Sequence, residues 1–90
     1  MREQEFYNWM AAYTDLADST KNTYIHWVNV VEENLGNVDN VHLTEFDNYL
    51  ERILSSFSEL EKHTRESYYS AVNAYRKYRE WHENSASESA

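Results

Sequence analysis

Hydrophobic side chains recur at the spacing of an α-helix in four separate segments of this chain. The residues at positions i, i+3, i+4 and i+7 of the first segment are Phe6, Trp9, Met10 and Tyr13. These positions share one face of a helix, so they predict one buried stripe on a helix that begins near residue 3 and ends between residues 13 and 15. The chain contains no proline that would interrupt any of the four segments. The pattern therefore predicts an all-α fold.

The second segment has the clearest stripe and the clearest ends. Its apolar positions are Tyr24, Trp27, Val28, Val31 and Leu35. A hydroxyl at a helix N-cap accepts a hydrogen bond from a free backbone N–H, which predicts Ser19 or Thr20 as the cap. Gly36 is the only glycine of the chain, and a glycine suits the left-handed position that follows a helix. We therefore expect the second helix to end there.

The third segment follows a connector at residues 37 to 42. Thr44 with Asp47 three residues later resembles a capping box and predicts the start of the third helix. Its predicted buried positions are Phe46, Tyr49, Leu50, Ile53 and Leu54. Phe57 is expected to fold back onto the core after the serine-rich end of this helix.

The fourth predicted helix begins near residue 64 and ends near residue 82. Its inward positions are Tyr68, Ala71, Val72, Tyr75 and Tyr78, and its more exposed positions are Arg65, Arg76, Lys77 and Arg79. Residues 84 to 90 are rich in serine and alanine, which favours a disordered tail after a domain of residues 1 to 83. The four helices suggest a compact bundle of two helical hairpins related by a pseudo-twofold.

The second and fourth helices are predicted to begin with the same pattern, 44 positions apart. Leucine, threonine, tyrosine, valine and asparagine recur in register, and a base follows each threonine, as Lys21 and Arg65. The N-terminus of a helix attracts anions, so two such starts with a base in each first turn are suited to a sugar-phosphate backbone. Chance recurrence among hydroxyl-capped helices is the alternative interpretation.

Composition favours binding over catalysis. A chain of 90 residues forms one modest core, and its 41% hydrophobic and 16% aromatic residues are too apolar for a disordered protein. The chain has no cysteine, no apolar run long enough for a membrane and no signal-peptide core, so we expect a soluble, cytoplasmic protein. Four histidines and many serines form no catalytic motif, and no metal-ligand spacing or phosphate-binding glycine loop is present. We therefore expect no enzyme activity, metal or cofactor.

The formal net charge of −8 opposes nucleic-acid binding, but the charge is unevenly distributed. Residues 1 to 61 carry three bases against twelve acids, whereas residues 62 to 79 carry five bases against one acid. A locally basic segment can contact DNA while the net charge slows the approach. Any duplex binding is expected to be weak and sensitive to salt.

The order of these motifs resembles the N-terminal core-binding domain of tyrosine recombinases of the phage-integrase type, which has a SAM-like fold. The resemblance covers residues 6 to 81. It depends on Phe-x-x-Trp at 6–9, Ser-Thr-x-x-Thr-Tyr at 19–24, Leu-Thr-x-Phe-x-x-Tyr-Leu at 43–50, Thr-Arg-x-x-Tyr at 64–68, Ala-Val at 71–72 and Tyr-Arg-Lys-Tyr at 75–78.

This resemblance implies a noncatalytic four-helix module that clamps duplex DNA through the N-termini of the second and fourth helices. The catalytic domain of such recombinases, with its arginine, histidine and nucleophilic tyrosine, is absent from this sequence. The DNA-binding residues that the resemblance implies are Ser19, Thr20, Lys21, Asn22, Lys62, His63, Thr64, Arg65, Arg76 and Lys77.

Two other interpretations remain open at this point. The chain is alternatively a small acidic interaction module or DNA mimic, whose carboxylates on the first three helices, among them Glu32, Glu33, Asp47 and Glu51, bind a basic protein. It is alternatively a structural domain of a larger enzyme with no ligand of its own. Trp81 lies off the main stripe of the fourth helix and is a candidate contact for a partner protein.

Overall fold

The computed structural model describes residues 1–57 and 59–89, and from residue 85 onward it describes the backbone alone. Within that part of the chain the secondary structure is helical throughout and contains no strand. In chain order it comprises α1 (Glu3–Tyr13), α2 (Asp18–Leu35), two 3₁₀ turns (Val38–Asn40 and Leu43–Glu45), α3 (Phe46–Ser56) and α4 (Lys62–Ser89). The prediction of an all-α, four-helix fold is confirmed.

The core lies where the four stripes meet. α4 packs against all three other helices, and its predicted inward side chains are buried except that of Tyr68, which is half-buried against the core. A fully buried valine, leucine, isoleucine, phenylalanine or methionine side chain in this core contributes about 1.5–3 kcal/mol. The buried hydrophobic residues are Phe6, Met10, Val28, Val31, Val38, Phe46, Tyr49, Leu50, Ile53, Ala71, Val72, Tyr75 and Tyr78.

Leu54 does not join this core, so its predicted burial is wrong. Its side chain is 40% exposed and lines a cleft between the end of α3 and the first turns of α4. Ile53 occupies the inward position at this level of α3 and is fully buried. Tyr13, predicted in the buried stripe of the first helix, is 60% exposed at the end of α1, so its predicted burial is also wrong. Phe57 is half-buried and packs against the ring of Tyr68 at 5.3 Å, as expected.

Gly36 ends α2 with a backbone φ of +99° and ψ of 164°. This combination lies outside the left-handed helical region that the sequence predicts, and it is accessible essentially only to glycine. The N–H of Gly36 still bonds the carbonyl of Glu32, and its own carbonyl accepts a hydrogen bond from the Tyr49 hydroxyl at 2.8 Å. The end of α2 is thereby tied to α3.

The predicted helix caps are wrong. Ala17 is the N-cap residue of α2, and no side chain caps this end, because the helix begins at Asp18 before either predicted hydroxyl. Thr44 lies inside the 3₁₀ turn that precedes α3. Glu45 is the N-cap residue of α3, and its side chain makes no capping hydrogen bond. The carboxylate of Asp47 pairs with Arg76 of α4 instead of closing a capping box.

α4 is longer than predicted at both ends. It begins at Lys62 rather than near Thr64 and continues to Ser89. Its 28 residues extend for about 42 Å, which accounts for most of the molecule's longest dimension of 44 Å. Residues 85–89 are helical in backbone, Ala90 lies outside the described residues, and the division at residue 83 stays a prediction.

Candidate binding site

The sequence repeat has a structural counterpart at the starts of α2 and α4. The two helices begin at Asp18 and Lys62, which are 44 positions apart like the motifs themselves. In the second turn of each helix a hydroxyl donates to the carbonyl four residues earlier, from Thr23 to Ser19 at 2.8 Å and from Ser67 to His63 at 3.0 Å. The repeat therefore encodes two similar helix starts.

The aromatic and apolar positions of the repeat also correspond. The rings of Tyr24 and Tyr68 both contact Trp27, with centroids 5.9 Å and 6.3 Å away. Val28 and Val72 are both fully buried in the core. The repeated tyrosine and valine thus serve the packing of α2 against α4.

Lys21, the first base of the repeat, points into the structure and does not face solvent. The residue is 7% exposed, its Nζ lies 2.9 Å from the Asp18 carboxylate, and it sits 5.1 Å from the centroid of the Tyr7 ring. Hydrogen bonds from Lys21 and then from Tyr7 lower the pKa of Asp18. This cation is already neutralised in the folded protein.

Arg65, the second base, is half-buried at the other helix start. Its guanidinium donates to the carbonyl of Leu54 at 3.2 Å, which joins the first turn of α4 to the last turns of α3. Its Nε is buried, and the described residues offer that atom no hydrogen-bond partner. One edge of the guanidinium is therefore used internally.

Two arginines further along α4 hold neighbouring elements. Arg76 pairs with Asp47 at 2.6 Å and with Glu80 at 3.0 Å, and hydrogen bonds to these carboxylates raise its pKa, the bond to Asp47 first. Arg79 donates to the carbonyls of Val38 and Val41 and pairs with Glu83. Both arginines are half-buried and thus more exposed than the inward tyrosines of α4, as predicted, but α3 and the 3₁₀ connector partly cover them.

The other residues assigned to DNA contact have mixed positions. Lys62 is exposed, with its Nζ 3.8 Å from Glu66, and Lys77 is exposed. Ser19, Asn22 and His63 are exposed, while Thr20 and Thr64 are half-buried.

Two adjoining clefts follow one side of α4. Lys62 and Arg65 line a cleft of 580 Å³, and Lys77 lines the next, of 510 Å³. Tyr69 and Ser70 line both clefts, so they join into one stripe along α4. Asn22, near the start of α2, lines a different cleft together with residues of α1.

More carboxylates than bases lack an ion-pair partner in this structure. Among the described side chains, only Arg52, Arg65 and Lys77 of the eight lysines and arginines lack an ion pair with a carboxylate. Seven carboxylates in the same part of the chain lack one: Glu3, Asp15, Glu33, Glu45, Glu51, Glu59 and Glu61. The unpaired surface charge is therefore predominantly negative.

The predicted acidic surface is only partly available. Glu33 and Glu51 are exposed, but Glu32 is largely buried and bonds the amino group of Met1, and Asp47 is paired with Arg76. Helical spacing alone could not show which carboxylates would form ion pairs with bases on other parts of the fold.

Sequence reasoning missed a cleft between α1 and α4. It has a volume of 430 Å³, and Glu5, Trp9, Tyr13, Tyr78 and Trp81 are among the residues that line it. The signal was present, since Trp9 and Tyr13 lie four positions apart and Tyr78 and Trp81 three apart, as neighbours on a helix do.

Among the residues that the structure describes, no cluster of histidine and carboxylate side chains is able to hold a metal ion. None of their helices is long and apolar enough to cross a membrane. No protein-family model matches the chain, and neither a curated protein nor a solved structure is significantly similar to it.

Proposed function

We propose that this chain is a noncatalytic interaction domain that binds a basic protein segment. The observation that carries the proposal is that most basic side chains are in ion pairs, whereas many carboxylates are not. Most bases are held in pairs within the fold, and seven described carboxylates have no ion-pair partner. Together with a formal net charge of −8, this arrangement attracts a cationic partner and repels an anionic one.

The surface charges act mainly on encounter. An exposed ion pair is worth only about 0–1 kcal/mol, so no single carboxylate fixes the partner. A field of one sign raises association rates by roughly 10- to 1,000-fold and loses this effect as salt is added. The domain is therefore expected to bind basic segments at low salt, with an affinity that depends on several carboxylates together.

Duplex DNA is the second candidate, and one observation favours it. Lys62, Arg65 and Lys77 line the two adjoining clefts on α4, where Tyr69 adds an aromatic ring. Cations beside an aromatic side chain are a common means of holding nucleic acid. This surface would replace the predicted clamp of two helix starts, because Lys21 and Arg76 are already paired.

A titration with two probes separates the candidates. Isotope-labelled protein is titrated with a short peptide of alternating arginine and glycine, and separately with a random DNA duplex, at about 50 mM and about 200 mM salt. We expect the peptide to bind at the lower salt and the duplex to cause little change. Duplex binding in the absence of peptide binding would overturn the proposal and favour the α4 surface.

Two variants sharpen the comparison. Neutralising four exposed carboxylates together, as Glu33→Gln, Glu51→Gln, Glu59→Gln and Glu61→Gln, should weaken peptide binding without unfolding the domain. Lys77→Gln is the control, because it changes exposed charge of the opposite sign and should leave peptide binding intact. Equal peptide affinity in the wild type and the four-fold variant would contradict a role for these carboxylates.

A further inference from the structure

Four aromatic rings form a closed circuit between α1 and α4. Trp9 contacts Tyr13 at 6.2 Å, Tyr13 contacts Trp81 at 5.4 Å, Trp81 contacts Tyr78 at 6.4 Å, and Tyr78 returns to Trp9 at 6.2 Å, all between ring centroids. Tyr78 is buried and Trp9 half-buried, so these two rings belong to the edge of the core. The other two extend beyond it.

Tyr13 and Trp81 are exposed although both have large aromatic side chains. Tyr13 is 60% exposed and Trp81 is 40% exposed, and both line the 430 Å³ cleft. Aromatic rings present a negative face, so exposed tyrosine and tryptophan rings on a surface attract cations. Rigid aromatic side chains of this kind also supply much of the energy of protein interfaces.

The same cleft has a carboxylate. Glu5 lies on the face of α1 that also carries Trp9 and Tyr13, and its Oε2 accepts a hydrogen bond from the Tyr78 hydroxyl at 2.7 Å. That bond is the main cause of a lowered pKa at Glu5, so the group is ionised at neutral pH. Exposed rings and a fixed negative charge therefore line one cleft.

Two other charged or titratable groups lie at this edge. Nη1 of Arg2 is 3.6 Å from Oε2 of Glu5 and 3.3 Å from Nε2 of His82. The Arg2 side chain is 53% exposed, and its contact with Glu5 exceeds hydrogen-bond length. Arg2 thus satisfies Glu5 incompletely from the solvent side, and it is the group that a second guanidinium would displace.

We propose that this cleft binds an arginine side chain of the basic partner segment, with the guanidinium over the exposed rings of Tyr13 and Trp81 and paired with Glu5. This inference rests on the proposed function and names its anchoring site. Arginine fits better than lysine, because a planar guanidinium stacks on an aromatic ring and meets a carboxylate through two donors. An anionic ligand would face both Glu5 and the net charge of −8.

The experiment follows the indole N–H signals of the two cleft tryptophans, Trp9 and Trp81, while the arginine–glycine peptide is added. The same titration is repeated with a peptide in which lysine replaces arginine. We expect both indole signals to shift with the arginine peptide, and an affinity several-fold weaker for the lysine peptide. Shifts that avoid the cleft while the peptide binds would overturn this inference and leave the proposed function standing.

Three variants test the geometry. Glu5→Gln keeps the shape of the side chain and should weaken arginine-peptide binding about tenfold, and Trp81→Ala should weaken it to a similar degree. The matched control is Glu3→Gln, since Glu3 is also exposed on α1 but bonds Asn29 and lies outside the cleft. Arg2→Gln should strengthen binding, because it removes the internal competitor for Glu5.

The outcomes separate the two proposals. Weaker binding in Glu5→Gln with wild-type binding in Glu3→Gln supports the cleft, and tighter binding in Arg2→Gln supports it independently of any loss of fold. Equal affinities in all variants would reject the cleft but retain an acidic interaction domain. An absence of peptide binding to the wild-type protein at about 50 mM salt would reject the proposed function itself.

Discussion

The hydroxyl of Tyr75 donates a hydrogen bond to Oδ1 of Asp39 at 2.5 Å and accepts one from the backbone N–H of Arg2 at 3.0 Å. Tyr75 is fully buried in α4, Asp39 lies in the 3₁₀ turn after α2, and Arg2 immediately precedes α1. One hydroxyl therefore joins three segments that are distant in sequence. Burial is the main cause that raises the pKa of Tyr75, so the group stays protonated and able to donate.

Replacing this hydroxyl should destabilise the protein. Tyr75→Phe keeps the ring but leaves the Asp39 carboxylate and the Arg2 N–H each without that partner, which should lower the free energy of unfolding by about 1–3 kcal/mol. Urea unfolding followed by circular dichroism measures the change. Tyr13→Phe is the control, because Tyr13 is 60% exposed and should unfold like the wild type. Equal stability of the two variants would contradict the linking role.

Gly36 should be the least replaceable residue at the end of α2. A Cβ at this position would meet no atom within 4 Å, so the cost of substitution is backbone strain alone. With φ +99° and ψ 164°, we expect Gly36→Ala to lower the free energy of unfolding by about 1–3 kcal/mol. Gly36→Asn should be no better, since asparagine relieves strain in the left-handed helical region and not here. Recovery of stability in the asparagine variant would place Gly36 in that region instead.

The helices and most of the core could be predicted because the apolar period depends on local sequence. Phe6, Val28, Ile53 and Val72 are buried because each lies on the stripe of its helix. The roles of the charged residues could not be predicted in this way. Arg79 is covered because the connector folds back over α4 and offers it the carbonyls of Val38 and Val41, and no spacing along one helix encodes that contact.

In the repeat, too, the packing positions could be predicted from the sequence and the direction of the charged side chains could not. α2 and α4 are alike in the 44-residue separation of their starts, in the hydroxyl bonds of Thr23 and Ser67, and in their repeated tyrosines and valines. The outward direction that the clamp requires of Lys21 is not found, because the Tyr7 ring of α1 lies beside its ammonium group and the exposed carboxylate of Asp18 pairs with it. The partners that decide the orientation of a long side chain come from elsewhere in the fold.

Two of the three lysines assigned to DNA contact, Lys21 and Lys77, should differ in how much their substitution changes stability. Lys21→Ala removes a buried aliphatic stem and its contact with Tyr7, and should lower the free energy of unfolding by about 1 kcal/mol. Lys77→Ala removes an exposed side chain and should change it by less than about 0.5 kcal/mol. Thermal unfolding of both variants gives the comparison. A larger loss for Lys77 than for Lys21 would reverse the assignment of their roles.

Tyr78 should control the ionisation of Glu5. The hydrogen bond from its hydroxyl is the largest cause of the lowered pKa of Glu5, ahead of the charge of Arg2. Tyr78→Phe should therefore return the pKa of Glu5 toward its ordinary value, as followed by the carboxyl carbon signal during an acid titration. Tyr75→Phe is the matched control, because Tyr75 bonds Asp39 and not Glu5. An unchanged pKa of Glu5 in Tyr78→Phe would mean that Arg2 holds the carboxylate instead.

The protein should lose stability at alkaline pH through its buried tyrosines. Burial first, and then the bond to Glu5, raise the pKa of Tyr78 from 10.0 to about 12 in the folded state, and burial raises the pKa values of Tyr49 and Tyr75 as well. Between pH 10 and about pH 12 the unfolded chain has released the Tyr78 proton and the folded chain retains it. The unfolded state then binds fewer protons, so the free energy of unfolding decreases as pH rises.

This dependence can be assigned to a residue by comparing variants. The contribution of Tyr78 is fully present below pH 10 and is lost as pH rises toward about 12. Urea unfolding at a series of pH values should show a shallower alkaline decrease for Tyr78→Phe than for the wild type, and the wild-type slope for Tyr13→Phe. If the alkaline slope of Tyr78→Phe equals that of the wild type, then burial between α1 and α4 does not keep the wild-type Tyr78 hydroxyl protonated.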